Sequence, residues 1–362
     1  MSSLHTAAEN RKRFTSLGLL VAVGSGLLFV YFVKRVGVGQ IANGIRNLGI
    51  GFLLVLAISA VRHVARSIAW IFCVEGSTRL PFWDALRARL MGDAIGNALP
   101  FASFIISEPA KPILIRDRVP LPIGFSSIVI ENIFYSLSVM LFITAGTLAT
   151  LLTFQSHVIR IMSLITLGVV FVIGVAGAVC IHREIKFVSG AVHLLNQRMS
   201  TQRWLDRAQN IEARVYRFCR YNQSRFLPIL VCEASFHCAG VLEVYTTLSF
   251  INPSHRPTLF MAFILESVNR LINMIFKFVP LRLGVDEAGT GKVSALLQLT
   301  EPAGVTLAII RKARDLFWSF IGVGLLFHRQ ITLRRESEKF SRESTAHLMP
   351  ERERDLMTLG GN

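Results

Sequence analysis

Two apolar segments of this chain break at a proline: Ile95-Gly-Asn-Ala-Leu-Pro100 and Phe276-Lys-Phe-Val-Pro280. An acidic residue follows each break, Glu108 after the first and Glu287 after the second. Interrupted hydrophobic segments at corresponding places in two halves of a membrane protein are typical of a transport site. The two segments therefore predict a membrane protein that is built from two related halves.

The composition excludes an ordinary soluble domain. Of the 362 residues, 52% are hydrophobic, and the mean hydropathy of the chain is +0.50. A bilayer-spanning helix needs about 20 mostly apolar residues, and the strand alternation of a membrane β-barrel is not visible. The long apolar segments are Ser16–Val33, Ile50–Val74, Gly124–Phe154, Ile159–Ile181, Leu227–Phe250 and Ala303–Phe327. We therefore predict an all-α polytopic membrane protein, folded as a helical bundle.

The net charge of +16 lies mostly in the segments between the apolar runs. Nine Lys and Arg residues fall within His182–Arg225, and more follow in the tail from His328. Basic residues that flank membrane helices mark the cytoplasmic side and meet anionic lipid headgroups. We therefore expect cytoplasmic termini, membrane lipids with anionic headgroups as partners, and no nucleic-acid partner.

These charges divide the chain into five parts. Because the apolar run after the basic N-terminus is long and lacks a cleavage pattern, we interpret it as a retained helix and not as a signal peptide. The parts are 1–15, a cytoplasmic basic N-terminus; 16–181, the first membrane half; 182–225, a basic amphipathic cytoplasmic linker; 226–327, the second membrane half; and 328–362, a basic, disordered cytoplasmic tail.

The same charges predict opposite entry of the two broken segments. Pro81–Pro120 enters from the cytoplasmic side, whereas Pro257–Thr300 enters from outside, so the halves form inverted-topology repeats with one re-entrant segment each. The alternative is that both segments cross fully, which gives a ten-helix bundle. Pro81–Leu99 and Pro280–Leu299 are short and polar for independent spans, which favours the re-entrant interpretation.

Ionisable residues within membrane segments are the candidate binding residues, because each costs about 2.5–3.5 kcal/mol at a helix centre. They are Glu108, Lys111, Glu131, Glu266, Arg270, Lys277, Glu287, Lys292, Arg311, Arg314 and Asp315. The two glutamates after the breaks orient the site or carry protons, and the lysine near each pairs with it or binds a substrate phosphate. The alternative for these glutamates is hydration at a membrane face.

Several of these residues stand four apart, a spacing that places two side chains on one helix face. Glu266 and Arg270 are such a pair, and they line a hydrophilic cavity or form a structural ion pair. Glu233 and His237 have the same spacing. Arginine binds phosphate in bidentate geometry, so acids and bases in both halves favour an anionic substrate.

The chain resembles the lysylphosphatidylglycerol synthase transmembrane-region family, which is also described as flippase-like and includes hopanoid-associated membrane proteins. The matching stretches are Val279-Pro-Leu-Arg-Leu-Gly-Val-Asp-Glu287, Arg311-Lys-Ala-Arg-Asp315 and Asn97-Ala-Leu-Pro100 through Glu108-Pro-Ala-Lys111, with Glu131 downstream. The resemblance covers most of residues 16–330. It implies movement of a lipid or lipid-linked headgroup between leaflets, and we expect the bacterial cytoplasmic (inner) membrane as its location.

Two other functions remain open: a scaffold for envelope-lipid biosynthesis enzymes and, less favoured, an intramembrane enzyme. Aminoacyl-lipid synthesis needs a soluble catalytic domain, for which the residues after Phe327 are too few. Neither a Walker A sequence nor HExxH is present, and the five cysteines lack metal-ligand spacing. We therefore expect a lipid transporter that is not an enzyme and has no cofactor and no metal.

Overall fold

The computed structural model describes residues 39, 43, 46, 48–76, 78–98, 103–154, 156–183, 202–251, 257–276, 282 and 284–348. Within these residues the chain forms ten α-helices. They are α1 (Gly51–Cys73), α2 (Phe82–Ala98), α3 (Ser103–Leu114), α4 (Leu121–Thr153), α5 (His157–His182), α6 (Gln202–Tyr221), α7 (Phe226–Ile251), α8 (Leu259–Ile275), α9 (Val285–Leu296) and α10 (Glu301–Leu348). The predicted all-helical class is confirmed for this part of the chain.

Four of the described helices are long and apolar enough to cross a membrane: Gly51–Cys73, Leu121–Thr153, His157–Cys180 and Gln223–Ile251. Each coincides with a segment predicted from hydropathy. The predicted span Ala303–Phe327 lies within α10 but is too charged to meet the same criterion, because it carries four charged residues between 311 and 315. Three of them are nonetheless buried, namely Arg311, Lys312 and Arg314.

Each broken segment is divided into two helices, α2 with α3 in the first half and α8 with α9 in the second. Pro100 and Pro280, the predicted break points, lie outside the described residues, as do the predicted helix Ser16–Val33 and the N-terminus before it. The second break ends at Gly284, whose φ of 82° suits a residue without a Cβ.

The polar tail differs from its prediction where the structure describes it. Residues 328–348 continue α10 as one helix, whereas their composition predicted disorder. A helix that is already nucleated extends at little cost.

The linker helix α6 is amphipathic, as predicted. It buries Val215 and Phe218 against Cys73 of α1 and Ile229 of α7. Arg225 follows α6 and donates a 2.7 Å hydrogen bond to the carbonyl oxygen of Val74. The linker is therefore anchored to the ends of two helices that belong to different halves.

The helix contacts of the two halves correspond to one another. The central helices α1 and α7 pack against each other, and α2 and α8 each pack against the helix that follows in their own broken segment. Across the halves, α2 packs on α10, and α8 packs on α4. Each broken segment thus contacts the long helix of the opposite half.

Small residues permit these two crossings. A Cβ on Gly322 of α10 would lie 2.3 Å from the carbonyl oxygen of Leu90 in α2. A Cβ on Gly146 of α4 would lie 1.9 Å from the hydroxyl of Ser267 in α8. Leu90 and Ser267 each lie eight residues after the first residue of their helix, so the two crossings use equivalent positions on α2 and α8.

Candidate functional site

A cavity of about 2160 Å³ is lined by residues from both halves of the described chain. Every described helix except α9 contributes to its lining. Small-molecule pockets usually measure about 300–1,000 Å³, so this cavity has room for a larger ligand. The arginines on its lining are Arg62, Arg66, Arg89, Arg207, Arg214, Arg270, Arg282, Arg311 and Arg314.

The lining residues that α4 and α5 contribute to the cavity are uncharged and mostly apolar. They include Phe125, Val129, Leu137 and Met140 of α4 together with Ile173 of α5. Only 6% of the residues in the most apolar stretch of α5 are buried inside the protein, so most of its side chains are available to lipid. The lining of the cavity therefore combines arginine side chains with apolar side chains that suit hydrocarbon chains.

The first of two charged clusters is centred on Glu131, which is fully buried in α4. Arg66 of α1 donates two hydrogen bonds to its carboxylate, at 2.8 and 2.9 Å. Arg89 of α2 donates a third, at 2.9 Å. Breaking a buried ion pair by removal of one partner costs about 3–5 kcal/mol, so Glu131 holds three helices together.

Lys111 and Glu108 of α3 complete this first cluster. The ammonium of Lys111 lies 2.7 Å from Glu108 and 2.9 Å from Asp93 of α2. Asn132 of α4 donates a 2.8 Å hydrogen bond to the second oxygen of Glu108. The predicted pair of Glu108 and Lys111 is confirmed, but the buried Lys111 is occupied by carboxylates and does not line the cavity.

The second cluster begins at Glu266, which is buried in α8. Arg270, four residues later, lies 2.6 Å from its carboxylate, which confirms the predicted pair. Arg311 of α10 lies 3.0 Å from the other oxygen of Glu266 and donates a long, 3.5 Å hydrogen bond to Thr290 of α9. Both arginines line the cavity, whereas Glu266 does not.

Glu243 of α7 and Asp315 of α10 extend the second cluster. Glu243 pairs with Arg62 at 3.0 Å and also with Arg314. Asp315 lies 2.7 Å from Arg314 and 3.6 Å from Arg282. The guanidinium groups of Arg62 and Arg270 lie over the same Phe236 ring, 4.8 and 4.6 Å from its centroid. This ring therefore connects the pair of Arg62 with Glu243 to the pair of Arg270 with Glu266.

The central ion pairs of the two clusters occupy equivalent positions with reversed polarity. Arg89 and Glu266 each lie seven residues after the first residue of α2 and α8. Glu131 and Arg311 each lie ten residues after the first residue of α4 and α10. The first half thus places the cation on the broken segment and the anion on the long helix, and the second half does the opposite.

Glu287, the acid after the second break, has partners other than those expected. Its carboxylate lies 2.6 Å from Lys312 of α10 and accepts a 2.8 Å hydrogen bond from the Gly284 backbone N–H. It lies in the first turn of α9, where the helix dipole stabilises a negative charge. The predicted partner Lys292 is exposed, and neither residue lines the cavity. Glu287 thus caps the N-terminus of α9 and links this helix to α10 by an ion pair.

Glu233 of α7 is a buried acid whose predicted partner, based on the four-residue spacing, was His237. It has no hydrogen-bond partner among the described residues on either carboxylate oxygen. The Nε2 atom of His237 lies 3.1 Å from the Ser138 hydroxyl instead, and its ring stacks on Phe142. The predicted pair of Glu233 with His237 is therefore absent from the structure.

Five predicted residues line the cavity, and the other predicted residues that the structure describes do not. Those on its lining are Glu108, Arg270, Arg311, Arg314 and Asp315. Glu131 and Glu266 lie behind it as partners of lining arginines, and Lys277 lies outside the described residues. Sequence reasoning missed Arg89, Asp93 and Arg282 as site residues. The polar content of Pro81–Leu99 and of Pro280–Leu299 was their signal, but we used it only to argue against full spans.

A family model described as "Lysylphosphatidylglycerol synthase TM region" matches residues 16–324 of the chain. The match extends over both halves of the cavity and over both charged clusters. No curated protein and no solved structure matches the chain.

Proposed function

Because the chain belongs to the lysylphosphatidylglycerol synthase TM-region family, we propose that it is a membrane lipid flippase. It moves a phospholipid or a lipid-linked headgroup between the leaflets of the bacterial cytoplasmic membrane. The observation that carries this proposal is the division of the cavity lining between arginines from other parts of the chain and uncharged, mostly apolar residues from α4 and α5. A lipid has the same division, since a charged headgroup is joined to hydrocarbon tails.

In this proposal the arginines of the cavity bind the headgroup while the tails follow the apolar residues of α4 and α5. Arginine suits this role because its planar guanidinium offers paired donors to a phosphate and keeps its charge. Movement between leaflets breaks no covalent bond, so the protein acts without enzyme chemistry. The basic residues of 182–225 and of the tail support cytoplasmic termini.

The proposal includes an inverted repeat with re-entrant broken segments. Three correspondences support it: the matching helix contacts, the matching positions of Leu90 and Ser267 at the two close approaches, and the matching positions of the reversed ion pairs. Transporters with such repeats bind substrate near the midplane and open to each side by rocking one repeat against the other. The lining of the cavity by both halves fits this mechanism.

Leaflet exchange in proteoliposomes tests the proposal. The protein is reconstituted with fluorescent headgroup-labelled phosphatidylglycerol, and a membrane-impermeant quencher reports the lipid that reaches the outer leaflet. Arg270→Gln removes one donor from the cavity, whereas Arg311 stays on Glu266 and maintains the buried pair. Since a hydrogen bond to a charged group contributes about 1.5–3 kcal/mol, we expect exchange at least tenfold slower in this variant.

Arg118→Gln is the matched control, because Arg118 is exposed, pairs with Asp84 and lies outside the cavity lining. It should exchange lipid at the wild-type rate. Exchange by the wild type equal to that of protein-free liposomes would contradict transport of this lipid and favour the scaffold function. Equal rates for Arg270→Gln and Arg118→Gln would contradict the role of the cavity.

A further inference from the structure

The two charged clusters differ in net charge. Both are counted over the described residues, with every paired carboxylate taken as ionised. The first cluster has three cations and three anions: Arg66, Arg89 and Lys111 with Asp93, Glu108 and Glu131. The second has five cations and three anions: Arg62, Arg270, Arg282, Arg311 and Arg314 with Glu243, Glu266 and Asp315. The second cluster therefore carries a net charge of +2.

Two nearby sets of residues do not compensate this excess. The segments adjoining α8 that the structure leaves undescribed, 252–256 and 277–281, contain no Asp or Glu. Asp286, Glu287 and Lys312 have a net charge of −1, but they join α9 to α10 and do not line the cavity. An uncompensated buried charge is costly, so the second cluster is suited to a bound anion.

Donors without acceptors show where the anion would bind. The Nε atoms of Arg270 and Arg282 have no hydrogen-bond partner among the described residues. Arg270 is only 5% exposed, and both residues line the cavity. A buried donor without a partner costs about 1–3 kcal/mol, which a ligand oxygen would recover.

Arg282 has a second unusual property. Its φ of 51° lies in the left-handed region, which residues other than glycine seldom adopt. Such backbone strain is concentrated at ligand sites and switch regions. Arg282 also has the loosest ion pair of the cluster, at 3.6 Å from Asp315, so its guanidinium is the easiest to redirect.

From the charge balance and these donors, we propose that Arg270 and Arg282 form a subsite for the terminal phosphate of a lipid phosphomonoester. A phosphomonoester carries about −1.5 to −2 at neutral pH, which matches the excess of +2, whereas a phosphodiester carries one negative charge. Arg89 also has unpartnered donors, but its cluster is already neutral, so an anion there would create a negative excess. This inference rests on the proposed lipid transport by the same cavity.

Binding to the purified full chain in detergent tests this subsite by calorimetry. The probes are a short-chain phosphatidic acid, the matching short-chain phosphatidylglycerol and inorganic phosphate. We expect phosphatidic acid to bind at least tenfold more tightly than the other two. Arg282→Gln should weaken its binding at least tenfold, and Arg282→Lys, which keeps the charge, should weaken it less.

Arg282 is a suitable position because its partly exposed side chain makes one long ion pair, so its loss leaves the buried pairs of the fold intact. Arg118→Gln is again the control and should bind as the wild type does. Equal affinity for phosphatidic acid and phosphatidylglycerol would overturn the phosphomonoester assignment. Equal affinity for inorganic phosphate would assign the subsite to free phosphate and overturn the lipid assignment.

The outcome is distinguishable from failure of the transport proposal. Lipid exchange in liposomes without preferential binding of phosphatidic acid would overturn the subsite and leave transport standing. Preferential binding of phosphatidic acid, lost in Arg282→Gln, without exchange of any lipid would support the subsite and contradict transport.

Discussion

Substitution of Gly322 by alanine tests the packing of the two halves against each other. Its added Cβ would lie 2.3 Å from the carbonyl oxygen of Leu90 and 2.6 Å from the Cβ of Ala94. The oxygen belongs to the backbone of α2 and cannot rotate away, so one of the two helices has to move. Overpacking of this kind costs about 1–3 kcal/mol.

Gly324→Ala provides the control, because a Cβ at Gly324 would meet no atom within 4 Å. Both substitutions replace glycine within the same helix, so the helix-propensity gain of about 1 kcal/mol applies equally to both. Their difference in the free energy of unfolding then measures the crossing of α2 and α10. We expect Gly322→Ala to be less stable than Gly324→Ala by about 1–3 kcal/mol.

Thermal unfolding in detergent, followed by circular dichroism, measures this difference as a shift in Tm. One kcal/mol corresponds to about 2–4 °C even for a domain of 150–250 residues, so a lower Tm by a few degrees is expected for Gly322→Ala. Gly146→Ala should also destabilise the fold, since its added Cβ would lie 2.2 Å from the Cβ of Ser267, which is fixed to the backbone of α8. Equal Tm values for the substitutions at Gly322 and Gly324 would refute the close crossing of the halves.

Three further results are expected. Glu131→Gln should destabilise the fold by about 3–5 kcal/mol, measured by the same unfolding assay, because it leaves buried arginines without their anion; a loss below 1 kcal/mol would contradict the buried pair. Glu233→Gln should change stability by less than about 1 kcal/mol, since its carboxylate has no partner to lose among the described residues; a loss as large as that of Glu131→Gln would reveal a missing partner. Burial raises the pKa of the Cys219 thiol. In a variant without the other four cysteines, its maleimide labelling rate should therefore keep rising above pH 9, where labelling of free cysteine, with a pKa of about 8.5, levels off.

Hydropathy predicted the helices because length and apolar content are properties of local sequence. The four spans of the described chain coincide with predicted segments within a few residues. The amphipathic helix α6 was equally predictable, since its buried and basic residues alternate with helical period. The last helix was predicted too short, because composition does not show how far a nucleated helix extends.

Ion pairs between residues on different helices could not be predicted from sequence spacing. The i,i+3 pair of Glu108 with Lys111 and the i,i+4 pair of Glu266 with Arg270 follow from helix geometry. The partner of Glu287 lies on another helix, so sequence distance wrongly favoured Lys292 over Lys312.

The reversed polarity of the two central ion pairs constrains how the halves can have diverged. If one ancestral half was duplicated, both copies began with the same charge at each of the two equivalent positions. A change of sign at only one of them would bring two like charges to within about 3 Å in a buried site. Under such a duplication, the reversal would have required either paired substitutions or a neutral intermediate.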